Sequence, residues 1–196
     1  MVVTSVFVLF CYTNDSIRGF IKASPWILIF MMVLSIVFMC MIVCVKSLAR
    51  TVPTNYILLG LFTLCESYIV ATISSFYDGA SVLLAAVMAV LLFSILSLIA
   101  LNTNGDLKKW QPIIITCSIL GMIMAIMSLF LTGYFWFLFF CWIGLIITCI
   151  YTIFDVYLVT EKHGLEYDDY IIGALLLYID LVTIFIYVLE IFGNRS

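Results

Sequence analysis

The chain alternates long apolar runs with brief polar breaks and carries little else. A helix needs roughly 20 mostly apolar residues to cross the ~30 Å hydrocarbon layer of a bilayer. Six runs meet that length, near 26–45, 56–75, 80–101, 112–132, 134–160 and 171–192. A seventh, 1–12, is equally apolar, but at about 1.5 Å per residue it reaches only ~18 Å. The breaks hold the expected residues: Asn14-Asp15, Ser24-Pro25, Val52-Pro53, Asp78-Gly79, Asn102 to Gly105, Gly133 and His163-Gly164. The runs are continuous rather than alternating, so helices are predicted and a β-barrel is not. The predicted fold is all-α, a polytopic membrane bundle of six to seven helices forming one integral domain over 1–196.

Composition sharpens this. Of the 196 residues 66% are apolar and 10% charged, whereas soluble domains run at about 45–50% and about 25%. A soluble enzyme, a nucleic-acid binder and a disordered chain are excluded. Eight Lys/Arg against eleven Asp/Glu leave a net charge of −3, with no basic tract to hold a phosphate backbone. The first partner is the lipid bilayer. The short first segment reads as a signal peptide, as a half-span, or as the end of a first helix that begins outside this chain. No Lys or Arg precedes it and no small-residue cleavage site follows, so the third reading, a truncated first helix, is preferred.

Lys/Arg bias across short loops sets orientation. With the first segment counted as a span, alternate loops hold Lys46, Arg50, Lys108, Lys109 and Lys162, and the other side holds Arg18, Lys22 and Arg195. The larger group is predicted cytoplasmic. The N-terminus is then cytoplasmic, and the C-terminus lies across the membrane if the last helix crosses fully.

An ionisable residue near the bilayer centre costs about 2.5–3.5 kcal/mol on insertion scales, which makes it a functional candidate by default. Glu66, Asp155 and Asp180 are such residues, while Glu190 lies near the far end of its span. No span centre holds a cation; the nearest, Lys46 and Arg50, end the second span and are candidate partners for Asp155. Helical spacing puts Gly144, Thr148, Tyr151 and Asp155 on one stripe and Gly173, Asp180, Thr183 and Tyr187 on another. A lipid-facing stripe would be aliphatic, so both are predicted to face inwards and to allow close helix contact. If the faces meet, the two carboxyls come within hydrogen-bond range. Two carboxylates at close quarters in low dielectric cannot both ionise cheaply, so they contest one proton. Protonated, such a pair ties two helices together; deprotonated, it repels and offers oxygen ligands to a hard cation such as Ca²⁺. The bland alternative is that each acid is neutral glue, hydrogen-bonded to a Tyr or Thr.

The residues around these acids resemble a known family. Phe154-Asp155-Val156-Tyr157, then His163 to Tyr170, then Ala174-Leu175-Leu176-Leu177-Tyr178-Ile179-Asp180, is similar to the C-terminal signature of the Bax inhibitor-1-like (transmembrane Bax inhibitor motif) family. Gly60 to Ser67 and Phe76-Tyr77-Asp78 resemble its lifeguard and Golgi anti-apoptotic branch. The resemblance implies a seven-helix bundle with the last helix central. It also implies a pH-sensitive passive Ca²⁺ leak, in the endoplasmic reticulum, Golgi or plasma membrane, that inhibits cell death. The paired aspartates of the family carry over to Asp155 and Asp180, with Glu66 as an additional intramembrane acid. Ca²⁺ enters only as permeating ion; no cofactor, bound metal or enzymatic activity is expected, and membrane proteins of calcium release or cell death are candidate partners. Two departures stand out: Phe154 replaces the usual Tyr, and Leu176 a common Asn.

Other classes remain open. A structural or regulatory membrane partner would show no flux of its own. An intramembrane aspartyl protease also sets two Asp on its sixth and seventh helices, but Leu177-Tyr178-Ile179-Asp180 lacks the Gly-x-Gly-Asp pattern of that family. A proton-coupled transporter would show paired repeats with broken helices, and no repeat is visible. The seven cysteines form no Cys-x-x-Cys and read as small hydrophobes. The acids Glu161, Glu166, Asp168 and Asp169 read as a solvated connector, and Tyr134 to Phe137 as an interfacial aromatic belt.

Overall fold

A computed structural model describes residues 2–45, 50–102, 111–130, 133–160 and 169–195. The described residues form helices α1 (Val2–Thr13), α2 (Asp15–Ala23), α3 (Pro25–Cys44), α4 (Thr54–Ser74), α5 (Gly79–Asn102), α6 (Gln111–Phe130), α7 (Tyr134–Thr160) and α8 (Tyr170–Phe192). Five of them, α3, α4, α5, α7 and α8, are long and apolar enough to cross a membrane. The six predicted spans fall on α3 to α8, the end of the 112–132 span lying outside the described residues, and many of their large apolar side chains are exposed, as lipid requires. Helix α2 was not expected. Asn14 and Ser24 do break the chain, but the nine residues between them wind into an amphipathic helix.

The chain forms two compact units, one of residues 1–82, 165–178 and 194–196, the other of 83–164 and 179–193. In the first, α1 and α3 pack along α4, and α2 closes against α1 and α4. Ile21 of α2 joins Cys11 and Ala71 in a core to which Phe7, Val8, Ile17 and Tyr68 add. The Tyr12 hydroxyl donates towards the carbonyls of Ser74 (2.6 Å) and Tyr77 (2.5 Å), at and just past the end of α4. Arg18 donates to Ser75 O through Nε (3.1 Å) and Nη2 (2.8 Å). Arg195 lies over the Tyr77 ring and Lys22 over Phe76. The three cations assigned to one side of the bilayer thus gather at one end of this unit. In the second unit α6 packs on α7. The break before α7 needs glycine, because Gly133 takes φ +146°, a conformation that side-chain-bearing residues avoid.

Helix α8 is unbroken over its 23 residues, about 35 Å at 1.5 Å per residue, long enough to cross a membrane. It lends its start to the first unit and its remainder, from Ile179, to the second.

Candidate functional site

Asp155 and Asp180 both belong to the second unit. Asp180, on α8, is buried, and its Oδ2 has no hydrogen-bond partner among the described residues. Asp155, on α7, is half-buried and lies within electrostatic range of Asp180. No hydrogen bond joins the two carboxyls, so the contact is looser than the sequence stripes suggested. Thr152, fully buried one turn before Asp155, sits beside the Asp180 carboxyl. Its hydroxyl donates to Thr148 O at 2.9 Å, and Thr148 in turn donates to Gly144 O at 2.9 Å. Both hydroxyls therefore satisfy their donors within α7 and leave oxygen lone pairs free to accept. The described residues of this unit include no Lys or Arg. Among the described residues of the unit, the two acids thus have no neutralising cation, an arrangement in which carboxyls can take up protons or offer oxygens to a hard cation.

The predicted inward stripe of α7 divides. Gly144 faces Tyr187 so closely that a Cβ there would lie 2.5 Å from Tyr187 Cζ and 2.6 Å from its hydroxyl. Tyr151 turns instead to α6, donating to Ile114 O at 3.1 Å and pairing with the Ser118 hydroxyl. Glu190 is half-buried and accepts the Cys141 thiol at 3.2 Å. Gly144→Ala is expected to destabilise the protein by about 1–3 kcal/mol, the usual cost of overpacking, because the Tyr187 ring must move. Adding Tyr187→Leu should recover part of the loss in a thermal-unfolding assay in detergent; additive losses would mean that the two positions are not in contact.

Glu66 falls in the first unit, on α4. It accepts a hydrogen bond from Ser35 of α3, a buried residue. Near it, Thr4 and the Tyr178 hydroxyl are 2.9 Å apart, and Ser67 lies 3.3 Å from Thr4. Tyr178 is within electrostatic range of Glu66. Glu66 thus has its own hydroxyl-rich surroundings, drawn from four helices of the unit.

Lys46 lies outside the described residues. The Arg50 guanidinium forks onto Asp169, Nε to Oδ1 at 2.9 Å and Nη2 to Oδ2 at 3.1 Å. Asp169, expected in a solvated connector, is buried. The reason is geometric: it directly precedes α8, where the planar fork of Arg50 meets both carboxylate oxygens at once. Beside it Asn55 donates to the Tyr170 hydroxyl at 2.9 Å. The rest of the acidic run, Glu161, Glu166 and Asp168, lies outside the described residues. Sequence reasoning also missed Thr152, although it stands four residues after Thr148 and three before Asp155, spacings that share a helical face.

Protein lifeguard 3 of Mus musculus is 28% identical over 159 residues, covering 78% of this chain and 52% of that protein. Protein lifeguard 3 of Homo sapiens is likewise 28% identical over 159 residues, with 51% of its length covered. Bax inhibitor 1 of Schizosaccharomyces pombe is 25% identical over 200 residues, covering 97% of this chain and 70% of that protein. The chain spans about half the length of the lifeguard proteins it matches. The family described as inhibitor of apoptosis-promoting Bax1 matches residues 1–196. With its array of long apolar helices, the chain is a multi-pass membrane protein and belongs to the Bax1-inhibitor family.

Proposed function

We propose that this protein is a passive Ca²⁺ leak, gated by protons at Asp155 and Asp180, with a role in calcium homeostasis and in inhibiting cell death. One observation carries the reading: these two acids lie within electrostatic range of each other in a unit whose described residues hold no Lys or Arg. With one of the two protonated, the repulsion between the carboxyls is relieved and α7 stays against α8. Thr152 then offers an acceptor for the carboxyl O–H of Asp180. With both ionised they repel, the helices part, and two carboxylates face any Ca²⁺ that enters. Conduction needs no energy source, because the ion moves down its own gradient. Glu66, in the first unit, is a further intramembrane acid able to titrate. The role against cell death is supported by the family description and by the name of the fission-yeast relative. The endoplasmic reticulum, Golgi and plasma membrane are the membranes proposed.

Purified protein in liposomes that enclose a Ca²⁺-sensitive dye provides the test. Ca²⁺ entry above that of protein-free vesicles, changing with pH, is expected. No flux above protein-free vesicles at any pH would overturn the channel reading in favour of a regulatory partner that acts through other membrane proteins.

A further inference from the structure

We propose that Cys44, together with Cys40 one turn away, is an S-acylation site that takes a long-chain fatty acyl group. Helix α3 has two distinct faces. Ser35 and Ile42 are buried on the side that packs along α4. At 3.6 residues per turn the opposite side carries Val33, Val37, Cys40 and Cys44, all of them exposed. The two thiols therefore continue the lipid-facing stripe to the end of the span. Of the seven cysteines in the chain, Cys11, Cys65 and Cys141 are buried and Cys117 and Cys149 half-buried, so exposure singles out Cys40 and Cys44.

Depth selects between them. Cys44 is the last residue of α3, at the level where hydrocarbon meets the headgroups, and Cys40 lies about 6 Å further into the hydrocarbon. The Lys/Arg bias assigns this end to the cytoplasmic face, where acyl-coenzyme A is present. Juxtamembrane cysteines of this kind are acceptors for reversible acylation. In the transfer the Cys44 thiolate attacks the carbonyl carbon of a long-chain acyl-coenzyme A, and the C–S bond to coenzyme A breaks. Coenzyme A leaves as a thiolate and takes up the proton that the cysteine gave, with no change of oxidation state. The acquired chain lies in the bilayer along the Val37 and Val33 face, which no described helix covers.

The full chain, expressed in eukaryotic cells fed an alkyne-tagged palmitate analogue, is purified and coupled to a fluorophore, with and without neutral hydroxylamine. Hydroxylamine cleaves thioesters and spares amides. Wild type should carry hydroxylamine-sensitive label. Cys44→Ser should lose most of it, and Cys40→Ser with Cys44→Ser should fall to background. Cys117→Ser with Cys149→Ser should keep the wild-type level. A matching size-exclusion profile establishes that the double variant is folded, and the corresponding Ala pair replaces it if the Ser pair is not. Wild type without hydroxylamine-sensitive label, or undiminished label in the folded double variant, would overturn the assignment.

Discussion

Replacing Arg50 by methionine is expected to destabilise the protein by about 3 kcal/mol, the lower end of what breaking one side of a buried ion pair costs. The lower end applies because the two partners differ in exposure, 31% for the Arg50 side chain and 7% for that of Asp169, so water screens part of the interaction. The loss comes chiefly from the carboxylate left behind: Asp169 stays buried without the fork that satisfied both its oxygens. Thermal unfolding in detergent should show a fall of several degrees. Arg50→Met combined with Asp169→Leu should regain much of it, since removing both charges leaves no stranded ion. Arg50→Lys should fall between, because an ammonium cannot reproduce the bidentate geometry. Equal stabilities for wild type and Arg50→Met would show that the pair does not tie the chain before α4 to the start of α8.

This ion pair also marks where sequence reasoning stops. The spans were legible because unbroken apolar runs of membrane length have few other uses, and α3 to α8 fall where those runs do. Asp155 and Asp180 stood out because carboxyls are costly in lipid. Arg50 and Asp169 are separated by well over a hundred residues, and each sits in a connector whose local pattern reads as solvated. Only tertiary contact shows that one is buried against the other. Helix α2 escaped for a different reason. Its nine residues are bounded by breakers on both sides, and the Ile17 and Ile21 spacing that buries one face is too brief to compete with them. On α7 a shared helical face did not mean a shared neighbour: Gly144 meets Tyr187, Tyr151 meets α6, and Thr152, outside the chosen stripe, is the residue beside Asp180.

Substituting Asp180 by asparagine should have the largest functional effect of any single change. An amide has nearly the size and polarity of a protonated carboxyl, so the packing against Thr152 is preserved. What it removes is the capacity to titrate. Without that group Asp155 has no partner with which to contest a proton, and the coupled behaviour of the pair is lost. Asp155→Asn should act in the same direction, and both changes together should do little more than either alone, as expected of groups that work as one unit. The decisive measurement is therefore the pH profile of Ca²⁺ entry into dye-loaded proteoliposomes, wild type against Asp180→Asn at equal protein density. A wild-type flux that varies with pH beside a variant flux that does not is the predicted result. A variant that keeps the wild-type pH profile would contradict the claim that this carboxyl gates the leak.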